Sequence, residues 1–225
     1  MTGLPLRAAD LSLKLGGEAV LEGISLTFEP GRVVVLAGPS GSGKSSLLYA
    51  LCGLLPADSG TVRWADTELT TLDEAARDSW RRRHAGFVFQ NFHLIEEMSP
   101  LDNVLLPAWF ERFSARGLTG RARQLLDELG VPVRKRAGLL SRGEQQRVAI
   151  ARALLLDPPV IFADEPTASL DAAAGAEVWS ILAGLARREG RTVLLASHDP
   201  EVLRQADRVL RLDHGRLLEH EALDA

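Results

Sequence analysis

Gly38-Pro39-Ser40-Gly41-Ser42-Gly43-Lys44-Ser45, continued by Ser46, is a segment whose residue types and spacing can grip an anion. It fits the pattern G-x-x-x-x-G-K-[ST]. Gly38, Gly41 and Gly43 let the backbone bend so that successive N–H groups face a phosphate, and a helix beginning there adds the positive end of its dipole. Side chains at the glycine positions are expected to fill the phosphate's space. Lys44 is placed to reach β- and γ-phosphates as a point charge, and the Ser45 hydroxyl is a small neutral ligand suited to Mg2+.

Further along, Asp164 and Glu165 follow the apolar run Val160-Ile161-Phe162-Ala163. Two carboxylates at the end of a buried strand sit where nucleotide sites gather in open α/β sheets. Asp164 is the better Mg2+ partner, and Glu165 is free to orient an attacking water. His198 follows another apolar run, Thr192 to Ala196, and from a strand end it can hydrogen-bond a γ-phosphate. A second anion-ready segment is Ser141-Arg142-Gly143-Glu144, which matches the capping box S-x-x-E at the head of a helix with Val148, Ala151 and Leu155 on one face. Taken alone it is equally a helix cap and nothing more. One nucleotide site rarely needs two such grips, so the second is expected to serve a site on another copy.

The elements that position these residues are legible in the pattern. Arg32 to Ala37 is a β-branched apolar run ahead of the loop, and Ser46 to Leu51 continues with helical spacing, giving the strand, loop, helix order that the motif requires. Ahead of it, Leu11, Leu13 and Leu15 alternate, and so do Ile24, Leu26 and Phe28, which predicts an antiparallel sheet. Asp58-Ser59-Gly60 reads as a turn before a short strand from Thr61 to Trp64, and Asp73 to Arg83 as a charged helix whose Arg81-Arg82-Arg83 face is solvated. Gly86 to Phe89 reads as a buried strand ending at Gln90. From Ser99-Pro100 the character turns helical, with a further helix over Gly120 to Leu129 stopped by Gly130. A helix around Ala172 to Arg188 and a hairpin turning at Asp213-His214-Gly215 complete the chain. The expected fold is α/β: a P-loop NTPase core with a mostly parallel sheet, an N-terminal antiparallel β subdomain and a helical subdomain. It forms one domain over 1–225, with 1–90 and 139–225 as the β subdomain and core and 91–138 as the helical subdomain.

The 225 residues suffice for a substantial core. A formal charge of -4, from 26 basic and 30 acidic residues, leaves no footprint for nucleic acid, so none is expected as a partner. Cys52, the only cysteine, excludes a disulfide framework and reads as a small core residue. No apolar run approaches the length of a membrane span and the N-terminus has no export signal, so the expectation is a chain that neither crosses a membrane nor is exported.

The ordered set Gly38 to Ser45, Gln90, Leu140 to Glu144, Val160 to Glu165, Ser169-Leu170-Asp171 and His198 resembles the nucleotide-binding domain of ATP-binding cassette (ABC) proteins. Gly86 to Ile95, with Asp102 to Pro107, looks most like the lipoprotein-releasing and macrolide-exporter branch. The resemblance implies an ATPase that uses ATP and Mg2+. Two domains pack head to tail, so that each ATP lies between one subunit's loop and its partner's signature segment. It implies that Lys44 and the loop amides bind phosphates, Ser45 and Asp164 serve Mg2+, and Gln90 senses the metal and water. Glu165 is then the general base, His198 the γ-phosphate switch, and Asp171 part of the loop coupling the two sites. Ser141 and Gly143 contact ATP across the dimer. The implied partners are a second nucleotide-binding subunit and a membrane permease, which holds the ATPase at the cytoplasmic face of the cell membrane. The permease would insert a short helix into a groove between the Gln90 segment and the helical subdomain. Trp109 and Phe110 either line that groove or fill the subdomain's core.

Two positions depart from the family. Where members place an adenine-stacking aromatic ahead of the loop, this chain has Leu15, which implies looser base selectivity, since stacking is worth about 1–3 kcal/mol. Where the signature has Gly, this chain has Arg142, which either adds charge near the partner's γ-phosphate or crowds it. Two rival readings are a soluble ABC ATPase of DNA repair or translation and a small-molecule kinase. The first is disfavoured by the short span from Gln90 to Ser141, the second by the capped signature segment.

Overall fold

The computed structural model describes residues 3–109 and 115–218. Two sheets share the chain. The first has strand order β2-β1-β4-β5, all antiparallel: β1 (Leu6–Leu15), β2 (Glu18–Phe28), β4 (Ser59–Trp64) and β5 (Thr67–Glu68). Leu11 and Leu13 point into the core as the alternation predicts, and so do Ile24, Leu26 and Phe28. Leu15, at the very end of β1, is 43% exposed.

Ser59 and Gly60 belong to strand β4 and not to the expected turn. Gly60 has φ 88°, and a Cβ there would lie 2.4 Å from the Asp10 carbonyl oxygen. The glycine is needed for the close approach of β1 and β4, a pairing that local turn propensity does not encode.

The second sheet has order β10-β9-β3-β8-β7-β6, where β3 is Val33–Ala37, β6 Ala85–Val88, β7 Val160–Asp164, β8 Thr192–Ala196, β9 Arg208–Asp213 and β10 Arg216–Leu217. Every neighbouring pair is parallel except β10 with β9, the expected hairpin. Both faces are covered, which is why its strands read as continuous apolar runs. Val33, Val35, Ile161, Ala163, Val193 and Leu195 face α5 (Arg142–Leu154) and α6 (Ala172–Glu189). Val34, Leu36, Phe162, Leu194 and Ala196 face α1 (Lys44–Leu51) and the antiparallel sheet. The Trp64 indole N–H donates to the Leu51 carbonyl at 2.7 Å and locks that sheet to the end of α1.

Cys52, just after α1, is fully buried, and burial pushes its thiol up to about 12, so it is an inert core residue as expected. Arg81, in α2 (Glu74–His84), departs from the expected solvated face. It is 9% exposed, donates to the Gly53 carbonyl and pairs with Asp78, because the last turn of α2 lies over the end of α1. A run of three arginines does not reveal which member the fold turns inward.

The middle region supplies α3 (Pro100–Trp109) and α4 (Ala115–Glu128), which pack on α5. Ser99 caps α3 through the Asp102 N–H. Asn103 is fully buried, and its amide bonds both the N–H and the carbonyl of Ile95, holding the approach to the helix. Trp109 is 47% exposed and Phe110 lies outside the described residues. On α4, Arg121 pairs with Asp157 at 3.0 Å, and Arg191 meets the same carboxylate at 2.6 Å. Burial works to raise the Asp157 carboxyl, but the Arg191 hydrogen bond and the charges of Arg191 and Arg121 outweigh it and hold it below the ordinary carboxylate range. The pair clasps α4 to the core loop ahead of β7.

Candidate functional site

Strand order assembles the site. β8 lies between β3 and β7, and its Ala196 is in register with both Leu36 and Asp164. The carboxyl ends of three parallel strands therefore deliver the glycine loop, the two acids and His198 to one crevice, and β6 adds Gln90 at the flank. The cavity is about 590 Å3, within the ordinary range for small-molecule sites. Its walls are Gly38 to Gly41, Gly43 to Ser46, Gln90, Glu165 and His198, with Val20 from β2.

All three loop glycines have the positive φ that the expected bend requires, but at two of them a side chain would meet the chain's own backbone and not the phosphate's space. Gly38 has φ 149°, and a Cβ there would lie 2.2 Å from the Leu212 carbonyl oxygen. At Gly43, with φ 100°, it would lie 3.0 Å from the Val20 carbonyl oxygen. The chain's own β9 and β2 occupy that space. Gly41 alone has open room, and there the positive φ of 79° is what asks for glycine. Ser42 is buried behind the loop, and its carbonyl accepts from the Gly215 N–H at 3.1 Å. The terminal hairpin thus braces the loop from behind.

Lys44 opens α1, and its Nζ donates to the carbonyls of Gly38 and Pro39 at 2.9 and 3.0 Å, which folds the cation across the loop. The Ser45 hydroxyl donates to Asp164 Oδ1 at 2.9 Å. The second carboxylate oxygen accepts from the Tyr49 hydroxyl at 2.7 Å. Burial first, then the hydrogen bond and charge of Asp164, drive the Tyr49 phenol well above its ordinary value, so it remains a protonated donor. Tyr49 escaped the sequence reading, although a signal existed: it stands four residues after Ser45 on the same helix face. Val20 also escaped, because only the pairing of β1 and β2 carries it to the loop.

Glu165 has φ 45°, a left-handed conformation held by its N–H on the Ala196 carbonyl at 3.0 Å. Such geometry in a non-glycine residue costs of order 1–3 kcal/mol and persists where surrounding structure enforces it. It turns the carboxylate into the cavity, 3.1 Å from His198 Nδ1. Ser45, Asp164 and the amide oxygen of Gln90 are hard oxygen donors, the set that Mg2+ takes when the remaining ligands are phosphate and water. Among the described residues no group of three or more His, Cys, Asp or Glu could hold a metal unaided.

The other singled-out residues lie elsewhere. Leu15 is not among the lining residues. Ser141 and Glu144 form the complete capping box, with the Ser141 N–H on Glu144 Oε2 at 2.7 Å and the Glu144 N–H on Ser141 Oγ at 3.3 Å. Gly143 is buried against α6, where a Cβ would lie 2.9 Å from that of Ala174. Asp171 caps α6 by accepting from the Ala174 N–H at 2.9 Å. None of Ser141, Arg142, Gly143, Glu144 and Asp171 lines the cavity.

A second cavity, about 460 Å3, opens between α2, the end of β6 and α5. Leu54, Phe87, Phe89, Pro107 and the stem of Arg152 line it. Trp109 does not, and Phe92 is buried beneath α5.

Comparison with known proteins agrees with this architecture. The family model described as ABC transporter matches residues 21–168. The lipoprotein-releasing system ATP-binding protein LolD of Cereibacter sphaeroides is 44% identical over 206 residues, covering 90% of this chain and 92% of that protein. The macrolide export ATP-binding/permease protein MacB of Escherichia coli K12 is 44% identical over 201 residues, 88% of this chain but only 31% of that protein. Against the MacB of Bradyrhizobium diazoefficiens the chain likewise spans 32% of the relative's length, and it spans 65% of an uncharacterized Mycobacterium tuberculosis ABC transporter ATP-binding protein. Among solved structures, the dimeric post-hydrolysis state of the ATP-binding cassette MJ0796 bound to ADP and Pi superposes with a TM-score of 0.88 at 34% identity. The match covers 98% of this chain and 99% of that one. With its phosphate loop, its paired acids at a parallel sheet's edge and a family match over most of its length, this chain belongs to the ABC transporter family.

Proposed function

We propose that the chain is the ATP-hydrolysing subunit of a transport or lipoprotein-release machine, dimerising on ATP to drive a separate membrane subunit. The observation that carries this reading is the division of the chemistry. One cavity gathers the phosphate loop, Gln90, Glu165 and His198, with Asp164 held just behind it on the Ser45 hydroxyl, while the capped N-terminus of α5 lies outside it. A second copy packed head to tail would bring its Ser141 and Gly143 to the open side of the first copy's nucleotide. The dimeric MJ0796 cassette supports an arrangement of two copies.

In this reading the loop amides and Lys44 hold the phosphates, with Lys44 exchanging its carbonyl partners Gly38 and Pro39 for phosphate oxygens. Ser45 and Asp164 would hold Mg2+, with Gln90 on the same cavity's wall, and the cation would supply positive charge to the phosphate oxygens. Tyr49 keeps the Asp164 carboxylate oriented toward Ser45. Glu165 accepts a proton from the attacking water, and His198, beside it, donates to the γ-phosphate. Adenine rests on aliphatic surface offered by Val20 at the cavity wall, without an aromatic plane.

The test is steady-state ATPase measured against the chain's own concentration. Turnover per chain is expected to rise with concentration and then level off as dimers saturate, with GTP used within about tenfold of ATP. Turnover per chain that stays flat down to the most dilute sample would sink the reading.

The apolar cavity lined by Phe87, Phe89 and Pro107 is the proposed seat of a short helix from the membrane subunit, with apolar anchors against the phenylalanines. Among the described residues no helix is long and apolar enough to cross a membrane, so attachment to the inner face of the cell membrane is proposed to run through this seat. Phe89→Ala is expected to abolish co-purification with the membrane subunit while leaving ATP binding intact; undiminished co-purification would move the seat elsewhere.

A further inference from the structure

Arg142 is the first residue of α5, and its side chain folds back onto its own subunit. Its Nε donates to the Ser169 carbonyl at 3.0 Å, and its guanidinium carbon sits 5.3 Å from the centre of the Phe92 ring, in the range of a cation–π contact. Phe92 is buried and has φ 49°. The Phe92 and His93 carbonyls each accept from Arg152, in the last turn of α5, at 2.5 Å. Arginines near both ends of one helix therefore hold the same backbone kink.

Both contacts of Arg142 lie a few residues from the nucleotide cavity. Phe92 closes a turn around Gln90 through its N–H on the Phe89 carbonyl at 3.3 Å. Ser169 follows a tight turn in which the Ala168 N–H bonds the Glu165 carbonyl at 3.2 Å and the Leu170 N–H bonds the Thr167 carbonyl at 3.1 Å. Two residues on, Asp171 caps α6. One guanidinium thus bridges the turn bearing Gln90 and the turn leaving Glu165, which follow the neighbouring strands β6 and β7 and both line the cavity. A glycine at 142 has no side chain to make either contact.

We propose that Arg142 is a positioning residue that couples the Gln90 turn to the Glu165–Asp171 turn, so that both turns move together with the N-terminus of α5. The inference rests on the ATPase reading for its functional consequence but not for its physical content. Neither of the two roles open at the level of sequence, added charge at a neighbouring γ-phosphate or crowding of it, uses these intramolecular contacts.

The experiment is amide hydrogen exchange on the nucleotide-free full chain, paired with steady-state ATPase, for Arg142→Gly, Phe92→Leu, the double variant and Arg142→Lys. Arg142→Gly and Phe92→Leu are each expected to raise exchange roughly 3–10-fold at both 90–93 and 168–171, with the double variant no worse than the more affected single one. Turnover should fall roughly 3–10-fold with KM for ATP within about twofold, and Arg142→Lys, which keeps a cation but lacks the Nε donor, should recover part of the loss. If Phe92→Leu does not fold, Arg142→Lys against Arg142→Gly reads the same coupling. Unchanged exchange at 168–171 in Phe92→Leu, additive effects in the double variant, or a raised KM with unchanged turnover would each overturn the proposal. A wild-type chain without ATPase activity would sink the functional reading while leaving the exchange result interpretable.

Discussion

The Glu165→Gln chain is expected to bind ATP and dimerise on it, yet to hydrolyse it about 100–1,000-fold more slowly than the parent. The substitution is nearly isosteric and leaves the main-chain bond to Ala196 and the left-handed turn untouched. What it removes is the carboxylate's ability to take a proton from water. A loss of that size corresponds to about 3–4 kcal/mol of transition-state stabilisation, larger than the loss of one hydrogen bond to His198 would explain. Phosphate release, together with dimer formation by light scattering or gel filtration in ATP, checks both halves. Turnover within a few-fold of the parent would take Glu165 out of the base's role and pass it to another group in the cavity.

The second large effect concerns complementation. Lys44→Ala removes the loop's cation, and Ser141→Arg blocks the helix terminus proposed to face a neighbour's nucleotide. Each variant alone is expected to lose about 100-fold or more of the ATPase rate. Losing the Ser141 cap should also lower stability by about 1 kcal/mol, which thermal unfolding would register. Mixing equal amounts should restore activity. In a head-to-tail dimer of one copy of each, both defects fall in one site and the other site is intact. Random pairing makes half the dimers mixed, so recovery approaches about a quarter of the parent rate if the sites act independently. A mixture as inactive as its components would mean that each chain builds its whole site, or that the two sites must fire together. Repeating the mixture with both substitutions on one chain and the parent as companion separates those outcomes, since two-site firing predicts that the mixed dimer is dead there too.

The chemistry-bearing residues were legible because each is a type with a narrow use at a position defined by its neighbours. Gly38 to Ser45 stands between a β-branched run and a helical run, and the structure places it there between β3 and α1. Asp164, Glu165 and His198 each end or follow an apolar run, and those runs are β7 and β8. The Ser141 and Glu144 pair carries its cap in four consecutive residues, so local geometry suffices to form it. Strand periodicity and capping act over a few residues, which is the range a chain can display one-dimensionally.

What the sequence determined by itself was therefore the inventory of the site, the strand, loop, helix order around it, and the covered parallel sheet implied by continuous apolar runs. Only the tertiary structure decided which side chains meet. It turned Arg81 inward onto Gly53, gave Gly38 its reason in the Leu212 carbonyl, set Tyr49 on Asp164, and aimed Arg142 at Phe92 and Ser169. These partners are separated by 27 to 174 residues along the chain, yet each pair lies within van der Waals reach or a hydrogen bond. Such contacts follow from strand order and helix packing, which depend on the free energy of the whole fold, so no stretch of a few residues can encode them.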